Sequence, residues 1–116
     1  MWYLVLSRTI RTNEEREERL QPHRDWLDAQ HRAGRMLFSG PVTDGSYGVY
    51  VLLAENLEAA EQLAGEDPYH AHGDRAPQVL EWNAHRAMRL DGPSIADIEA
   101  MARGEPNEGR LQGRRA

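Results

Sequence analysis

Residues 35–54 read RMLFSGPVTDGSYGVYVLLA, and this stretch decides the fold. Residues 35–39 and 47–54 are rich in the apolar, aromatic and β-branched side chains that favour strands. Between them, Gly40-Pro41 interrupts the first strand, and Thr43-Asp44-Gly45-Ser46 is typical of a turn. The stretch therefore predicts a β-hairpin.

A helix is predicted on each side of this hairpin. Upstream, over residues 14–33, one face is marked at three- and four-residue steps by Leu20, His23, Leu27, His31 and Gly34. Pro22 disfavours one continuous helix. We expect either a separate short turn over residues 14–20 or a main helix that begins near Gln21, with Pro22 in its first turn. Downstream, Asn56 is a helix N-cap, and Gly65 ends that second helix.

Strands at both ends complete the pattern: residues 2–7 are apolar and aromatic, and residues 78–86 alternate. The order β-α-β-β-α-β is that of the ferredoxin-like fold. The predicted class is α+β, with helices on one face of a four-stranded antiparallel sheet. The candidates for the uncovered face include Trp2, Leu4, Tyr50, Leu52, Leu80 and Trp82. A bare apolar face needs a partner, so we expect a homodimer through the sheet faces, with larger assemblies left open.

The composition changes near residue 90. We expect a domain over residues 1–90 and a C-terminal extension over residues 91–116. In the extension, Ser94 is expected to cap a short amphipathic helix, whose apolar side carries Ile95, Ile98 and Met101. That helix either docks on the partner subunit or is a loosely held terminus. Residues 104–116 are rich in Gly, Glu and Arg and predict disorder.

The composition also limits the chemistry. The 116 residues include no cysteine and no lysine, which excludes disulfides, thiolate chemistry and lysine Schiff bases. The net charge is −5 and the arginines are dispersed, so nucleic-acid binding is not expected. No apolar run approaches the ~20 residues of a membrane span, and the apolar start is too short for a signal peptide. A cytoplasmic location is the default expectation, and no cofactor is indicated.

His23 is the most informative candidate residue, because it lies on the apolar stripe of an otherwise charged helix. Further along the chain, residues 67–73 read DPYHAHG and supply a carboxylate, Asp67, and two more imidazoles, His70 and His72. A buried histidine that meets a fixed carboxylate is a common general base. The alternatives are a core histidine that only satisfies a backbone group, and an Asp-Pro turn whose carboxylate only bonds backbone amides.

Three segments together resemble the YciI-like, or YCII-related, family: LQPHRDWL at 20–27, AGRMLFSGP at 33–41 and EDPY at 66–69. The resemblance covers residues 1 to about 88. It implies a dimeric α+β barrel similar in fold to muconolactone isomerase, and a His–Asp pair in a cleft, here His23 and Asp67. Some relatives act in the degradation of aromatic compounds. The chain departs from the family pattern at residues 70–73 and in the tail after Arg89.

Other residues are expected to line the same cleft. Ser39, Gly40 and Pro41 would contact the substrate, unless they only end a strand. Tyr69 either stacks on or bonds the substrate, or only packs. His70 and His72 are expected at the rim of the pocket, and the alternative is a metal site that they form with His23 and Asp67. We expect no metal to bind, and His31 and His85 are expected at the surface or at an edge.

The sequence thus predicts a small enzyme that uses His23 and Asp67 as an acid–base pair on a small cyclic or aromatic-derived metabolite. Isomerisation, enolisation and elimination all fit such a pair. The alternative is a non-catalytic protein that binds a small ligand in the same pocket. Contact between the two side chains at an open cleft would favour catalysis, whereas a His23 in solid packing would favour the alternative.

Overall fold

The computed structural model describes residues 1–86 and 95–104. Its elements in chain order are β1 (Trp2–Thr9), α1 (Glu14–Glu18), α2 (Leu20–Arg32), β2 (Met36–Pro41), β3 (Tyr47–Leu53), α3 (Leu57–Gly65), α4 (Pro68–Ala71), β4 (Arg75–Trp82) and α5 (Ile95–Ala102). The four strands form one antiparallel sheet in the order β2-β3-β1-β4. The predicted α+β class and β-α-β-β-α-β order are confirmed.

The two faces of the sheet differ in what covers them. The face under the helices holds the core, formed by Tyr3, Val5, Met36, Tyr50, Leu52, Ala60 and Ala64. Tyr50 and Leu52 were predicted as candidates for the uncovered face, and this prediction is wrong. Leu4 pairs with Val51 across β1 and β3, so Val51 shares the face of Leu4, and its neighbours Tyr50 and Leu52 point to the helices.

The opposite face, which we call the outer face, carries Trp2, Leu4, Leu80 and Trp82, as expected. Phe38 of β2 is 68% exposed and Trp82 is 45% exposed. Helix α5 lies against this face, because Ile95 and Ile98 line a cavity together with Trp2, Leu4, Phe38, Val51 and Trp82. In the structure, therefore, the apolar side of α5 contacts the sheet of its own chain.

Three strands differ from the prediction by more than one residue at an end: β1, which extends to Thr9 instead of residue 7, β4 and β2. β4 runs over Arg75–Trp82 instead of 78–86, because its antiparallel partner β1 begins at Trp2, which pairs with Trp82. β2 continues through Gly40 to Pro41 instead of ending at Ser39. Because β2 is an edge strand, the missing N–H of a proline does not break the sheet.

The helices follow the local signals in the sequence. Glu14–Glu18 is a separate short helix, and α2 begins at Leu20, so Pro22 falls in the first turn where its missing N–H costs nothing. Gly34 follows α2 with φ +74°, a backbone conformation that favours glycine after a helix. The Asn56 side chain accepts a hydrogen bond from Ala59 N at 2.8 Å at the start of α3; Gly65 is the last residue of α3.

Several predictions lie outside the described residues. They are the domain boundary at residues 90 and 91, the Ser94 cap, and disorder over residues 105–116. No helix within residues 1–86 or 95–104 has the length and apolar character needed to cross a membrane; α2 is 13 residues long.

Candidate active site

A cleft of about 200 Å³ opens between the helical layer and one end of the sheet. The described residues that line it come from α1, α2, β2, β3, α4 and β4, and they are Arg16, Leu20, His23, Arg24, Leu27, Ser39, Gly40, Pro41, Gly48, Val49, Tyr50, Tyr69 and Arg75. The predicted contact residues Ser39, Gly40, Pro41 and Tyr69 all lie in this wall. The expected pocket between sheet and helix is therefore present.

His23 and Asp67 meet behind this wall. His23 sits in the first half of α2, and Asp67 is the N-cap of α4, 44 residues later. The His23 Nδ1 atom lies 2.7 Å from Asp67 Oδ1. Because a carboxylate only accepts, Nδ1 carries the proton and donates it to this bond. Nε2 is then the ring nitrogen with a free lone pair, on a residue that lines the cleft.

The carboxylate of Asp67 is fully buried and held by three donors. Besides His23 Nδ1, its Oδ1 accepts from the backbone N–H of Tyr69 at 3.0 Å, and its Oδ2 accepts from the Tyr50 hydroxyl at 3.5 Å. The bond to Tyr69 caps α4, so Asp67 has the structural role of an Asp-Pro turn as well as its contact with His23. Burial and the negative charge of Asp67 raise the pKa of Tyr50, which keeps the phenol protonated as a donor.

Tyr69 forms a platform beside the imidazole. Its ring stacks on His23 with the ring centres 4.2 Å apart and an angle of 19° between the planes. The guanidinium groups of Arg75 and Arg16 lie over the same ring, at 4.7 and 5.1 Å from its centre. The cleft therefore joins an aromatic surface, an imidazole and two positive charges.

A salt bridge ties the helix of His23 to the segment after α4. Asp74 is fully buried, and its two oxygens accept from Arg19 Nε at 2.5 Å and Nη2 at 2.6 Å. Arg19 is the N-cap of α2, and its carbonyl accepts from His23 N at 2.9 Å. The backbone N–H of Asp74 donates to Tyr69 O at 2.9 Å. The pair thus fixes the start of α2 against the α4 turn, and so positions His23 against Tyr69.

His70 lies away from the cleft, contrary to the expectation that it lines the rim. Its Nδ1 lies 2.7 Å from the carbonyl oxygen of Ala64 and therefore donates to it. Its Nε2 then accepts from the Ser7 hydroxyl at 2.5 Å. Tyr69 and His70 are consecutive residues of the short helix α4, so their side chains point in different directions. The Tyr69 side chain lines the cleft, and the His70 side chain contacts Ala64 of α3 and Ser7 of β1. Burial lowers the pKa of His70, which favours the neutral ring.

His72 also is not among the residues that line the cleft; it is the C-cap of α4 and is exposed. The metal alternative required His23, His70 and His72 to converge, and they do not. Within the described ranges, no group of three or more histidine and carboxylate side chains is close enough to hold a metal ion. His31 and His85 are exposed, and His31 Nε2 lies 2.8 Å from the Ser39 hydroxyl.

Sequence reasoning missed several residues of the cleft. The strand predicted over residues 78–86 does not include Arg75, Arg16 was not a candidate site residue, and Tyr50 was grouped with the uncovered face of the sheet. Arg75 follows Asp74, and no signal in the sequence distinguishes it from the other arginines. Asp74, which follows the glycine of the turn, gave no signal of a buried ion pair.

A ferredoxin-like α+β domain with a buried His–Asp pair at the wall of a small cleft is the class of protein that the fold and the site define. Residues 1–83 match the YCII-related domain. The chain is also 32% identical over 80 residues to the uncharacterised protein YjpA of Bacillus subtilis (strain 168), which covers 69% of this chain and 94% of YjpA. The chain belongs to the YCII-related family.

A solved structure shares the fold. It is the 5-chloro-2-hydroxyhydroquinone dehydrochlorinase TftG from Burkholderia phenoliruptrix AC1100, in complex with 2,5-dihydroxybenzoquinone. The TM-score is 0.59 with 19% sequence identity, and the match covers 72% of this chain and 94% of TftG. TftG is thus a member of the same fold that acts on a small cyclic compound.

Proposed function

We propose that this protein is an acid–base enzyme that acts on a small cyclic or aromatic-derived metabolite. His23 is the catalytic base and acid, and Asp67 is its orienting partner. The observation that carries the proposal is the 2.7 Å contact between His23 Nδ1 and Asp67 Oδ1 on a residue that lines an open cleft. Such contact at a cleft is the arrangement expected of a catalytic pair rather than of a core histidine.

The chemistry follows from the direction of the hydrogen bonds. Asp67 accepts from Nδ1 and thereby fixes the tautomer in which Nε2 has the free lone pair. Nε2 removes a proton from a carbon or oxygen of the substrate, and the buried carboxylate stabilises the imidazolium that forms. The imidazolium then returns the proton at another atom of the substrate, or the substrate expels a leaving group. The first outcome is an isomerisation or enolisation, and the second is an elimination.

The size and surface of the cleft support a small planar substrate. A volume of about 200 Å³ is below the ~300–1,000 Å³ usual for drug-sized ligands. The His23 ring, which is stacked on the buried Tyr69 ring, lines the cleft beside Leu20 and Leu27. The dehydrochlorinase activity named for TftG is one form of elimination, so chlorinated hydroquinones are the first compounds to assay.

The test is turnover of a panel of hydroquinones, lactones and cyclic ketones, followed by chloride release and by deuterium uptake from D₂O. His23→Gln and Asp67→Asn are the informative variants, and His85→Gln is the matched control, since it removes an exposed imidazole. We expect kcat to fall ~10²–10⁴-fold in His23→Gln, because this is the contribution that general acid–base catalysis typically makes. The kcat of His85→Gln should equal that of the wild type. Binding of a panel compound without turnover would favour the alternative, a non-catalytic binding protein, and full turnover by His23→Gln would end the assignment.

We also propose that the protein is a homodimer that pairs the outer faces of two sheets. Phe38, Leu80 and Trp82 are all more than a third exposed on this face beside α5, and a solvent-facing apolar surface of this kind is typical of an interface. Light scattering should give about twice the chain mass of 13.2 kDa. Phe38→Glu should shift the species toward the monomer, and a monomeric wild type would refute the proposal.

A further inference from the structure

The cleft is positively charged although the chain as a whole carries a net charge of −5. Arg16 of α1, Arg24 of α2 and Arg75 of β4 contribute to its wall. None of the described residues that line it is an aspartate or a glutamate. The charge of the wall is therefore set by three guanidinium groups beside His23.

Arg75 is built into this position by its surroundings. Its Nη1 occupies the space above Gly48, where a Cβ would overlap it. Its Cζ lies 4.7 Å from the centre of the Tyr69 ring, and that ring stacks on His23. The strand β4 thus sends a guanidinium group over β1 and into the cleft through the gap that a glycine leaves on β3.

Arg75 and Arg16 lack the side-chain hydrogen-bond partners that Arg19 and Arg35 have. Arg19 has both oxygens of Asp74, and Arg35 Nε donates to Gln30 at 2.9 Å. In contrast, the Nε atoms of Arg16 and Arg75 are buried without a hydrogen-bond partner in the described part of the chain, and neither residue forms an ion pair there. A buried donor without an acceptor is costly, so an acceptor that a ligand brings to either guanidinium group would be favourable.

The two guanidinium groups also repel each other. Burial and the nearby charge of Arg16 lower the pKa of Arg75, and both groups lie over one tyrosine ring. Two like charges held together are unfavourable until an anion lies between them. The charge of Asp67 counteracts part of this effect on the pKa of Arg75, but its oxygens accept from His23, Tyr69 and Tyr50 and form no ion pair with either guanidinium group.

We infer that Arg75 and Arg16 form an anion subsite and that the ligand of this cleft is a small ring compound with a carboxylate. A guanidinium group matches the two oxygens of a carboxylate with parallel hydrogen bonds. With the carboxylate held there, the ring of the ligand lies in the cleft within reach of His23. This inference deepens the proposed function and rests on it for the role of His23, but binding at the subsite does not require turnover.

Benzoate and benzamide test the inference, because they have nearly the same shape and differ in charge. Their affinities are measured by calorimetry or NMR titration on the full chain. We expect benzoate to bind more tightly than benzamide, and its affinity to fall as salt is added. Arg75→Gln should weaken benzoate roughly 10-fold or more, the range of a lost charge-assisted hydrogen bond. Arg75→Lys, which keeps the charge, should retain part of the affinity.

Two further variants separate the subsite from general effects. Arg8→Gln removes an exposed arginine of β1 from outside the cleft, and it should bind benzoate as the wild type does. Gly48→Ala keeps every charge but displaces the Arg75 guanidinium, and it should weaken benzoate more than benzamide. Equal affinity for the two probes, absence of benzoate binding, or an unaffected Arg75→Gln would overturn the inference. If benzoate binding depends on Arg75 but turnover is unchanged in His23→Gln, the subsite is upheld and the catalytic proposal is refuted.

Discussion

Asp67 is the residue at which the architecture of the site and its chemistry can be separated. In Asp67→Ala, two close donors, His23 Nδ1 at 2.7 Å and Tyr69 N at 3.0 Å, lose their acceptor in the interior. Each unpaired buried donor costs ~1–3 kcal/mol, and removal of a buried charge offsets part of that cost. We expect the free energy of unfolding to fall by about 3 kcal/mol.

Asp67→Asn keeps the shape of the side chain. Its remaining oxygen can accept from His23 and Tyr69, and its amide can donate to the Tyr50 hydroxyl. A charge-assisted bond is worth ~1.5–3 kcal/mol and a neutral one ~0.5–1.5, so the expected loss of stability is about 1 kcal/mol. The negative charge beside the imidazole is gone, however, and we expect turnover to fall roughly 10²-fold or more.

Urea unfolding followed by tryptophan fluorescence measures the stability of both variants, and the substrate panel measures their turnover. The predicted order of stability is wild type, Asp67→Asn, Asp67→Ala, with both variants poor catalysts. Asp67→Ala as stable as the wild type would mean that the described hydrogen bonds do not form. Full turnover by a folded Asp67→Asn would show that the charge of Asp67 has no part in the reaction.

Three other perturbations test the surroundings of the pair. Burial lowers the pKa of His70 in the folded protein. Because the unfolded chain therefore binds an additional proton below the ordinary pKa of ~6.5, the free energy of unfolding should fall from pH 7 to 5. His70→Gln should make this dependence on pH less steep. The hydrogen bond from Arg19 lowers the pKa of Asp74, so the contribution of Asp74 to the free energy of unfolding is present above about pH 4 and is lost below it. The stability of Asp74→Asn should therefore depend less steeply on pH in this acid range than that of the wild type, and equal curves would refute this. Gly34→Ala places a side chain at φ +74° and against the Ala102 carbonyl, so hydrogen exchange of the α5 amides should accelerate, and unchanged exchange would mean that α5 does not dock there.

The order of the elements was predictable because local signals agree with the final structure. Asn56 caps a helix, Gly34 ends one, and the apolar run before residue 54 forms a strand. The faces of β3 were not predictable, since Val49, Tyr50 and Val51 are all apolar and give no alternation to assign. Only the register with β1 places Tyr50 under the helices.

The candidate site was likewise predictable from the sequence only in part. The His23–Asp67 contact followed from a family resemblance and from an imidazole on an apolar stripe, and the structure brings the two together. The arginine subsite depends on contacts distant in sequence: Arg75 reaches the cleft only because Gly48 lies on a strand two places away in the sheet. The position of His70 was not predictable for the same reason, because its hydrogen bonds are to Ser7 and Ala64 outside its own short helix.

The protonation pattern of the His23 ring tests the central claim most directly. Nitrogen-15 NMR of the wild type, with the signals of His23 assigned by their absence in His23→Gln, reports which ring nitrogen carries the proton when the ring is neutral. The account predicts a proton on Nδ1, bonded to Asp67, and a bare Nε2 at the cleft. A proton on Nε2 would contradict it, since Nδ1 would then have none to donate and the nitrogen at the cleft would be unable to accept one.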